Sequence, residues 1–160
     1  MNFFKLFFLI VLIVTFNNYA DGHGPSRQKV NEKIEINTSP DKVWEIVKNY
    51  MKFDWNSLVK KVTVENNDIG SERKLEFEGG KFVKQKLEKI DETKKLISWR
   101  IIETNNDVMP VNSYAAKIFV KESENGKTIV NYKAGFYRGF MGNDPPEQLN
   151  DENSKKKVSI

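Results

Sequence analysis

The stretch from residue 60 to residue 136 constrains the fold most, because apolar and polar residues alternate along nearly all of it. A repeat of two residues is typical of strands that bury one face. The predicted strands are residues 61–65, 72–78, 81–90, 96–103, 112–121 and 128–136. Short joins rich in Asn, Asp and Gly separate most of them, and such joins make neighbouring strands pair antiparallel. The stretch therefore predicts a meandering antiparallel sheet.

The segment ahead of this stretch predicts one more strand and two short helices. Residues 29–37 alternate in the same way. Ser39 and Pro40 then have the residue types of an N-cap and a first helical position. Apolar residues follow at three- and four-residue spacing, Trp44 among them, which is typical of a helix with one buried face. A second short helical segment is predicted to hold residues 53–58.

One apolar face per strand needs a cover, so the predicted fold class is α+β, a curved antiparallel sheet of about seven strands closed by helices. The residues assigned to the covered, concave face are Leu75, Phe77, Val83, Leu87, Ile97, Trp99, Ile101, Tyr114, Ala116, Ile118, Tyr132 and Ala134. Such a sheet leaves either a packed core or a cavity beneath its helices. The polar groups of Gln85, Tyr114 and Tyr132 on this face favour a cavity. The alternative is that they bond only to backbone groups.

The composition leaves few kinds of catalytic or metal centre. The chain has no Cys and a single His, His23, which excludes thiol catalysis and thiolate metal sites and leaves no Ser–His pair in the domain. No Gly-rich phosphate loop occurs, and the carboxylates are scattered over strands and turns. We therefore expect no cofactor and no catalytic residues, and we predict that the protein is not an enzyme.

The charge of the folded body is nearly balanced. The formal net charge is +4, and the three tail lysines Lys155, Lys156 and Lys157 account for most of it. Nucleic-acid binding needs a basic surface that neutralises several phosphates. The sequence therefore predicts no nucleic-acid partner.

The N-terminus has the pattern of an export signal. Lys5 precedes an unbroken apolar run over residues 6–14, and Ala20 ends a passable cleavage site. The run is too short to span a bilayer. We predict a removed signal peptide and a periplasmic protein with no stable membrane insertion after cleavage, and an uncleaved anchor is the alternative. The predicted divisions are a signal peptide over residues 1–20, a flexible leader over residues 21–28 and one domain over residues 29–160.

Residues 136–152 combine an aromatic bend with a predicted helix start. Gly139 and Gly142 allow the backbone to turn sharply between the aromatic residues. Asp144 is predicted as the N-cap of the closing helix and Pro145 as its first residue. Glu147, three residues after Asp144, would complete a capping box.

The order of one strand, two helices, six strands and a closing helix resembles the helix-grip, START-like (SRPBCC, polyketide cyclase/lipid-transfer-like) superfamily. A closer resemblance is to the MxaD family of accessory proteins of methanol oxidation. The segments that carry it are residues 39–44, 109–114 and, above all, 135–152. Two features depart from that family. Trp55 is followed by Asn-Ser instead of His-Pro, and the closing helix is either short or truncated, which would expose part of the concave face.

The narrower resemblance implies a periplasmic protein that promotes contact between methanol dehydrogenase and its cytochrome c electron acceptor. The residues predicted to bind these partners are Phe136, Tyr137, Arg138, Phe140, Met141 and Asp144. The alternative is a START-like carrier of a small hydrophobic ligand or lipid. The residues predicted to line its cavity are Phe77, Gln85, Trp99, Tyr114 and Tyr132. An enzyme of the cyclase or hydratase type would need acid–base pairs that the concave face does not offer.

Cleavage after Ala20 would create an N-terminal site for Cu(II) or Ni(II). The mature chain would begin Asp21-Gly22-His23, and its amine, two amide nitrogens and the imidazole of His23 can form a square-planar set of four nitrogens. The alternative is that His23 has no ligand role. N-terminal sequencing of the exported protein followed by Cu(II) titration should give the visible band of a four-nitrogen complex, and His23→Ala should abolish it. A different first residue, or a band that survives His23→Ala, would contradict the site.

Overall fold

The computed structural model describes residues 24–53 and 55–159, so the predicted signal peptide and the Asp21–His23 metal site lie outside the described residues. The strands are β1 (Gln28–Ile36), β2 (Lys61–Val64), β3 (Glu72–Glu76), β4 (Phe82–Asp91), β5 (Leu96–Glu103), β6 (Val111–Glu122) and β7 (Thr128–Arg138). The α-helices in the described part are α1 (Pro40–Val47) and α2 (Asp151–Val158). Neither is long and apolar enough to cross a membrane.

All seven strands form one antiparallel sheet in the order β1-β7-β6-β5-β4-β3-β2. From β2 to β7 each strand pairs with its neighbour in sequence, as the short joins require, and β1 pairs with β7. The predicted fold class is therefore confirmed. The two edges of the sheet are β1 and β2.

Irregular pairing bends the sheet around its apolar face. The register shifts twice between β4 and β5, and once between β6 and β7 at Asn112 and Ala115. At this last shift Ser113 has a φ of 48°, in the left-handed region. Bulges of this kind increase twist and bend a strand. The result is a concave face that can enclose a volume.

The predicted concave residues lie on this enclosed face. All are buried except Phe77 and Ile101, which are half-buried. Helix α1 covers one end of the face with Val43 and Trp44. The Trp44 indole N–H also donates to Glu92 Oε2 at 2.6 Å, which ties the helix to the β4–β5 turn. Helix α1 therefore helps to bury the one apolar face of the sheet, as the alternation of apolar and polar residues in the strands predicts.

The prediction of a second helix over residues 53–58 is wrong. The described residues there form turns and bends. Asn56 Oδ1 accepts a hydrogen bond from the Leu58 backbone N–H at 3.0 Å. Asn side chains that bond to nearby backbone groups compete with helix formation. The segment nevertheless reaches the concave face, because the Phe53 side chain is buried.

The prediction that the last helix starts at Asp144 is also wrong. Helix α2 begins six residues later, where Asn150 is the N-cap and accepts from the Asn153 backbone N–H at 2.8 Å. A residue that precedes proline is disfavoured in the helical region. Pro145 precedes Pro146, and Pro146 itself is extended with a ψ of 153°. A short 3₁₀ turn, Glu147–Leu149, connects this extended piece to the helix.

Arg138 holds the corner between β7 and α2 together. Its guanidinium donates to the Phe140 carbonyl at 2.8 Å, to the Gly142 carbonyl at 2.6 Å and to Asp151 Oδ2 at 3.1 Å. The residue is only 8% exposed. Bonds from one cation to three separated points fix the loop and orient the start of the helix. Arg138 is therefore a buried structural residue and not the surface contact that its aromatic flanks suggested.

Replacing Arg138 by Ala should lower the free energy of unfolding by about 2–3 kcal/mol, because two carbonyls and a partly buried carboxylate lose their donor. The measurement is urea denaturation of both proteins. Arg100→Ala is the matched control, since Arg100 pairs with Glu88 at the surface with half of its own side chain exposed. That change should cost less than about 1 kcal/mol. Equal effects of the two changes would contradict the structural role.

Candidate ligand-binding site

A cavity of about 340 Å³ lies between the concave face, the segment after α1 and the end of α2. We call it the inner cavity. The residues of its apolar wall are Phe53, Trp55, Leu58, Leu75, Phe77, Val83, Trp99, Val108, Met109 and Val158. Three elements must meet to close it, because each covers only part of the sheet. Helix α2 is anchored there through Ser154 Oγ, which donates to the Pro110 carbonyl at 2.6 Å.

The five residues predicted to line a cavity all lie in the wall of this one. They are Phe77, Gln85, Trp99, Tyr114 and Tyr132. They come from β4, β5, β6 and β7 and from the end of β3, so only the curvature of the sheet brings them together. Contact with a ligand stays a prediction.

Two tyrosine hydroxyls form a directed chain of hydrogen bonds at the cavity wall. The hydroxyls of Tyr114 and Tyr132 are 2.7 Å apart, and Tyr132 also donates to the Val158 carbonyl at 3.3 Å. A hydroxyl has one proton. Because the Val158 carbonyl can only accept and Tyr132 donates to it, we infer that Tyr114 is the donor to Tyr132. Burial raises the pKa of Tyr114 to about 12 and raises the pKa of Tyr132 further, so both hydroxyls are neutral at physiological pH.

Arg73 is a buried cation behind the cavity wall, and the sequence analysis did not identify it. It is 3% exposed, and its Nε donates to Gln85 Oε1 at 2.8 Å. It also donates to the Tyr50 carbonyl at 3.2 Å, and its Cζ lies 4.0 Å from the Tyr50 ring centre. Burial lowers the pKa of Arg73 to about 10, which leaves it charged at neutral pH. The sequence feature that could have identified Arg73 is its position two residues before Leu75, which puts both side chains on the inward face of β3.

Two side chains of the wall, Gln85 and Trp99, have hydrogen-bond donors that are left for a ligand, whereas the protons of both tyrosine hydroxyls are used within the protein. The Gln85 carbonyl is used by Arg73, so its NH₂ group is the part left for another partner. The Trp99 indole N–H is buried and makes no hydrogen bond, although it lies close enough to Tyr114 to affect the pKa of that hydroxyl. Buried donors are normally satisfied. This arrangement suits an acceptor oxygen better than a donor group.

The wall of the inner cavity carries more positive than negative charge. The lysines in its wall are Lys81, Lys156 and Lys157. Lys81 pairs with Asp107 at 3.1 Å. The acidic residue in the same wall, Glu78, lies 3.8 Å from Lys60. The wall therefore favours anions over cations.

A second depression, which we call the outer groove, lies beside the inner cavity between β1 and α1. Its volume is about 870 Å³, and Trp55 and Tyr132 belong to the walls of both spaces. The remaining apolar lining consists of Ile34, Ile36, Val43, Ile46, Val47, Ile118 and Val130. Ile34 and Ile46 are each 61% exposed. The short closing helix thus leaves part of the apolar face uncovered in the described structure.

The residues predicted to bind protein partners do not form one surface. Phe136 is fully buried and Arg138 is held inside the corner described above. Tyr137 is half-buried beneath Arg27, while Asp144 is exposed. Phe140 and Met141 are 37% and 50% exposed. Of this set, only the exposed residues Phe140, Met141 and Asp144 could readily contact a protein partner. The methanol-oxidation role and the periplasmic location stay predictions.

No group of three or more His, Asp or Glu side chains in the described residues could hold a metal ion.

A family model described as polyketide cyclase/dehydrase and lipid transport matches residues 27–158. The match therefore covers every strand and both helices. No curated protein sequence is similar enough to this chain to count as a relative.

Solved structures from bacteria and a plant have the same fold. Protein XoxI of Bacillus cereus matches with a TM-score of 0.67 and 20% identity over 81% of this chain and 84% of that one. An uncharacterised protein of Bacillus thuringiensis matches with a TM-score of 0.66 and 20% identity over 82% and 88%. Norcoclaurine synthase of Thalictrum flavum, in complex with dopamine and hydroxybenzaldehyde, matches with a TM-score of 0.60 and 16% identity over 72% of each chain.

The last of these structures overturns the prediction that the protein is not an enzyme. Norcoclaurine synthase is an enzyme with this fold, so the architecture is compatible with catalysis. The composition excludes only thiol, Ser–His and thiolate-metal centres, and other side chains can also serve as acid–base groups in enzymes. At 16% identity the likeness concerns the fold alone. No reaction is therefore transferred to this chain.

The direction of the tyrosine chain predicts unequal effects of removing its two hydroxyls. Tyr132→Phe leaves both the Val158 carbonyl and the Tyr114 hydroxyl without a partner, whereas Tyr114→Phe leaves Tyr132 bonded to Val158. Tyr132→Phe should therefore be more destabilising by about 1 kcal/mol. Urea denaturation of the two variants measures this difference. A larger loss for Tyr114→Phe would contradict the inferred direction of the chain.

Proposed function

Because the chain belongs to the polyketide cyclase/dehydrase and lipid transport family, we propose that it binds a small hydrophobic ligand in the inner cavity. The observation that carries the proposal is the cavity itself, which places aromatic and aliphatic walls around a few convergent polar groups. Ligand sites in proteins have this composition and volumes of roughly 300–1,000 Å³. The inner cavity lies at the lower end of that range.

The packing around the cavity supports a preformed site. Val83 and Leu75 are almost completely buried, and Trp99 is 3% exposed. Side chains packed in this way lose little conformational entropy when a ligand enters. The 53–58 segment forms the opposite wall and is more open, with Trp55 41% and Leu58 69% exposed. We infer that the ligand enters past this segment, between Leu58 and the lysines at the end of α2.

Filling the cavity should weaken binding of a hydrophobic fluorescent probe such as 1-anilinonaphthalene-8-sulfonate. We expect Val83→Phe to raise the Kd at least about tenfold, because its larger side chain points from the concave face into the space that the probe uses. Val62→Phe makes the same chemical change on β2 outside both depressions and should leave the Kd within about twofold. Native protein should also yield an organic-extractable ligand that Val83→Phe lacks.

Urea denaturation separates blocked binding from unfolding in these variants. If Val83→Phe does not fold, Leu58→Asp is the second test, because Leu58 lines the cavity while being mostly exposed. A charge there should exclude an apolar molecule without affecting the core. Unchanged probe binding in folded Val83→Phe and in Leu58→Asp would refute the proposed site.

A further inference from the structure

The inner cavity and the outer groove differ in chemistry although they adjoin each other. The wall of the inner cavity includes Gln85, Tyr114 and Asn56. The apolar lining of the outer groove is mostly aliphatic, with Ile46 and Ile118 among its residues. Polar residues of the groove, such as Glu32 and Lys42, come from its rim elements β1 and α1. One space thus suits a polar group and the other suits hydrocarbon.

The two spaces meet at Trp55 and Tyr132. Tyr132 is fixed by its hydrogen bonds to Tyr114 and Val158. Trp55 lies on a turn, is 41% exposed and has Phe53 as its ring partner at 4.0 Å between centroids. Its indole therefore forms a boundary of apolar contact and not a hydrogen-bonded wall. The flexible hydrocarbon chain of a ligand could therefore pass along this ring from the inner cavity into the outer groove.

The charge around the inner cavity selects the sign of a polar head. Lys156 and Lys157 belong to its wall, and the buried Arg73 lies behind Gln85 and donates to it. Arg73 donates to the Gln85 carbonyl, and this bond polarises the Gln85 amide as a donor. The cavity wall therefore carries more positive than negative charge, and the Gln85 NH₂ group and the Trp99 indole N–H are among its remaining donors. The rim of the outer groove carries both signs, with Glu32, Lys33 and Lys42, and has no such preference.

We propose that one single-chain anionic amphiphile binds across both spaces, with its carboxylate or similar anionic head in the inner cavity and its hydrocarbon chain in the outer groove against Trp55. The proposal rests on the proposed function, since the head occupies the same cavity. It assigns Gln85 and the surrounding cations to the head, and Ile34 and Ile46 to the chain. The exposed apolar floor of the groove is then covered by the ligand itself.

The test is the dependence of affinity on chain length for n-alkyl carboxylates of about 8 to 14 carbons, measured by calorimetry below their micelle concentrations. Each further methylene buried in the groove should tighten binding about three- to fourfold. Alkyl trimethylammonium ions of equal length should bind at least about tenfold more weakly, because the cavity is positive.

A matched pair of variants locates the chain. Ile46→Glu places a carboxylate in the apolar lining of the outer groove and should abolish the gain in affinity with chain length between about 8 and 14 carbons. Ile69→Glu is the control, because Ile69 is 64% exposed and lines neither space. It should leave the whole series unchanged. Neither change removes a buried side chain, so both variants should fold.

The outcomes separate this inference from the proposed function. Affinity that does not vary with length, equal binding of cationic ligands, or equal behaviour of Ile46→Glu and Ile69→Glu would overturn the inference. If the naphthalene probe still binds and Val83→Phe still weakens it, the proposed function stands without the inference. Absence of binding by both the probe and the carboxylates would overturn both.

Discussion

The structure depends on one constraint, which is that a seven-stranded sheet with a single apolar face must cover that face. Each of the two α-helices in the described part has only eight residues. Helix α1 covers the face with Val43 and Trp44, and α2 covers it with Val158. The segment after α1 contributes Phe53 between them. These short elements cannot cover the whole concave face of the sheet. The inner cavity and the outer groove are the parts of the face that they leave open.

Arg73 is buried beside the inner cavity, and its burial carries an energetic cost that its neighbours must offset. Removing a guanidinium from water is costly unless its donors are satisfied. Here Gln85 and the Tyr50 carbonyl accept hydrogen bonds, and the rings of Tyr50 and Phe53 lie 4.0 and 4.4 Å from its Cζ. Aromatic faces and neutral acceptors stabilise the cation without neutralising its charge. The positive field therefore stays available to whatever enters the cavity.

Arg73 and Arg138 show that similar burial can serve different ends. Arg138 binds a carboxylate, Asp151, and two loop carbonyls, so its charge and donors are used within the fold. Arg73 donates to two neutral acceptors, the Gln85 side chain and the Tyr50 carbonyl, and lies beside a cavity. The aromatic neighbours of Arg138 in sequence suggested an interface. Its three-dimensional neighbours make it a structural clamp, because the loop folds back over the side chain.

The alternation of apolar and polar residues and the short joins by themselves determined the antiparallel meander from β2 to β7 and its inward face, because a period of two leaves each strand only one way to bury its apolar residues. It also placed Gln85, Tyr114 and Tyr132 on that face. Tertiary structure decided that β1 pairs with β7. Tandem prolines moved the start of the last helix from Asp144 to Asn150, an effect of local sterics that the capping pattern concealed. The volume of the cavity, the direction of the tyrosine chain and the burial of Arg73 depend on contacts between residues far apart in sequence, which no local pattern contains.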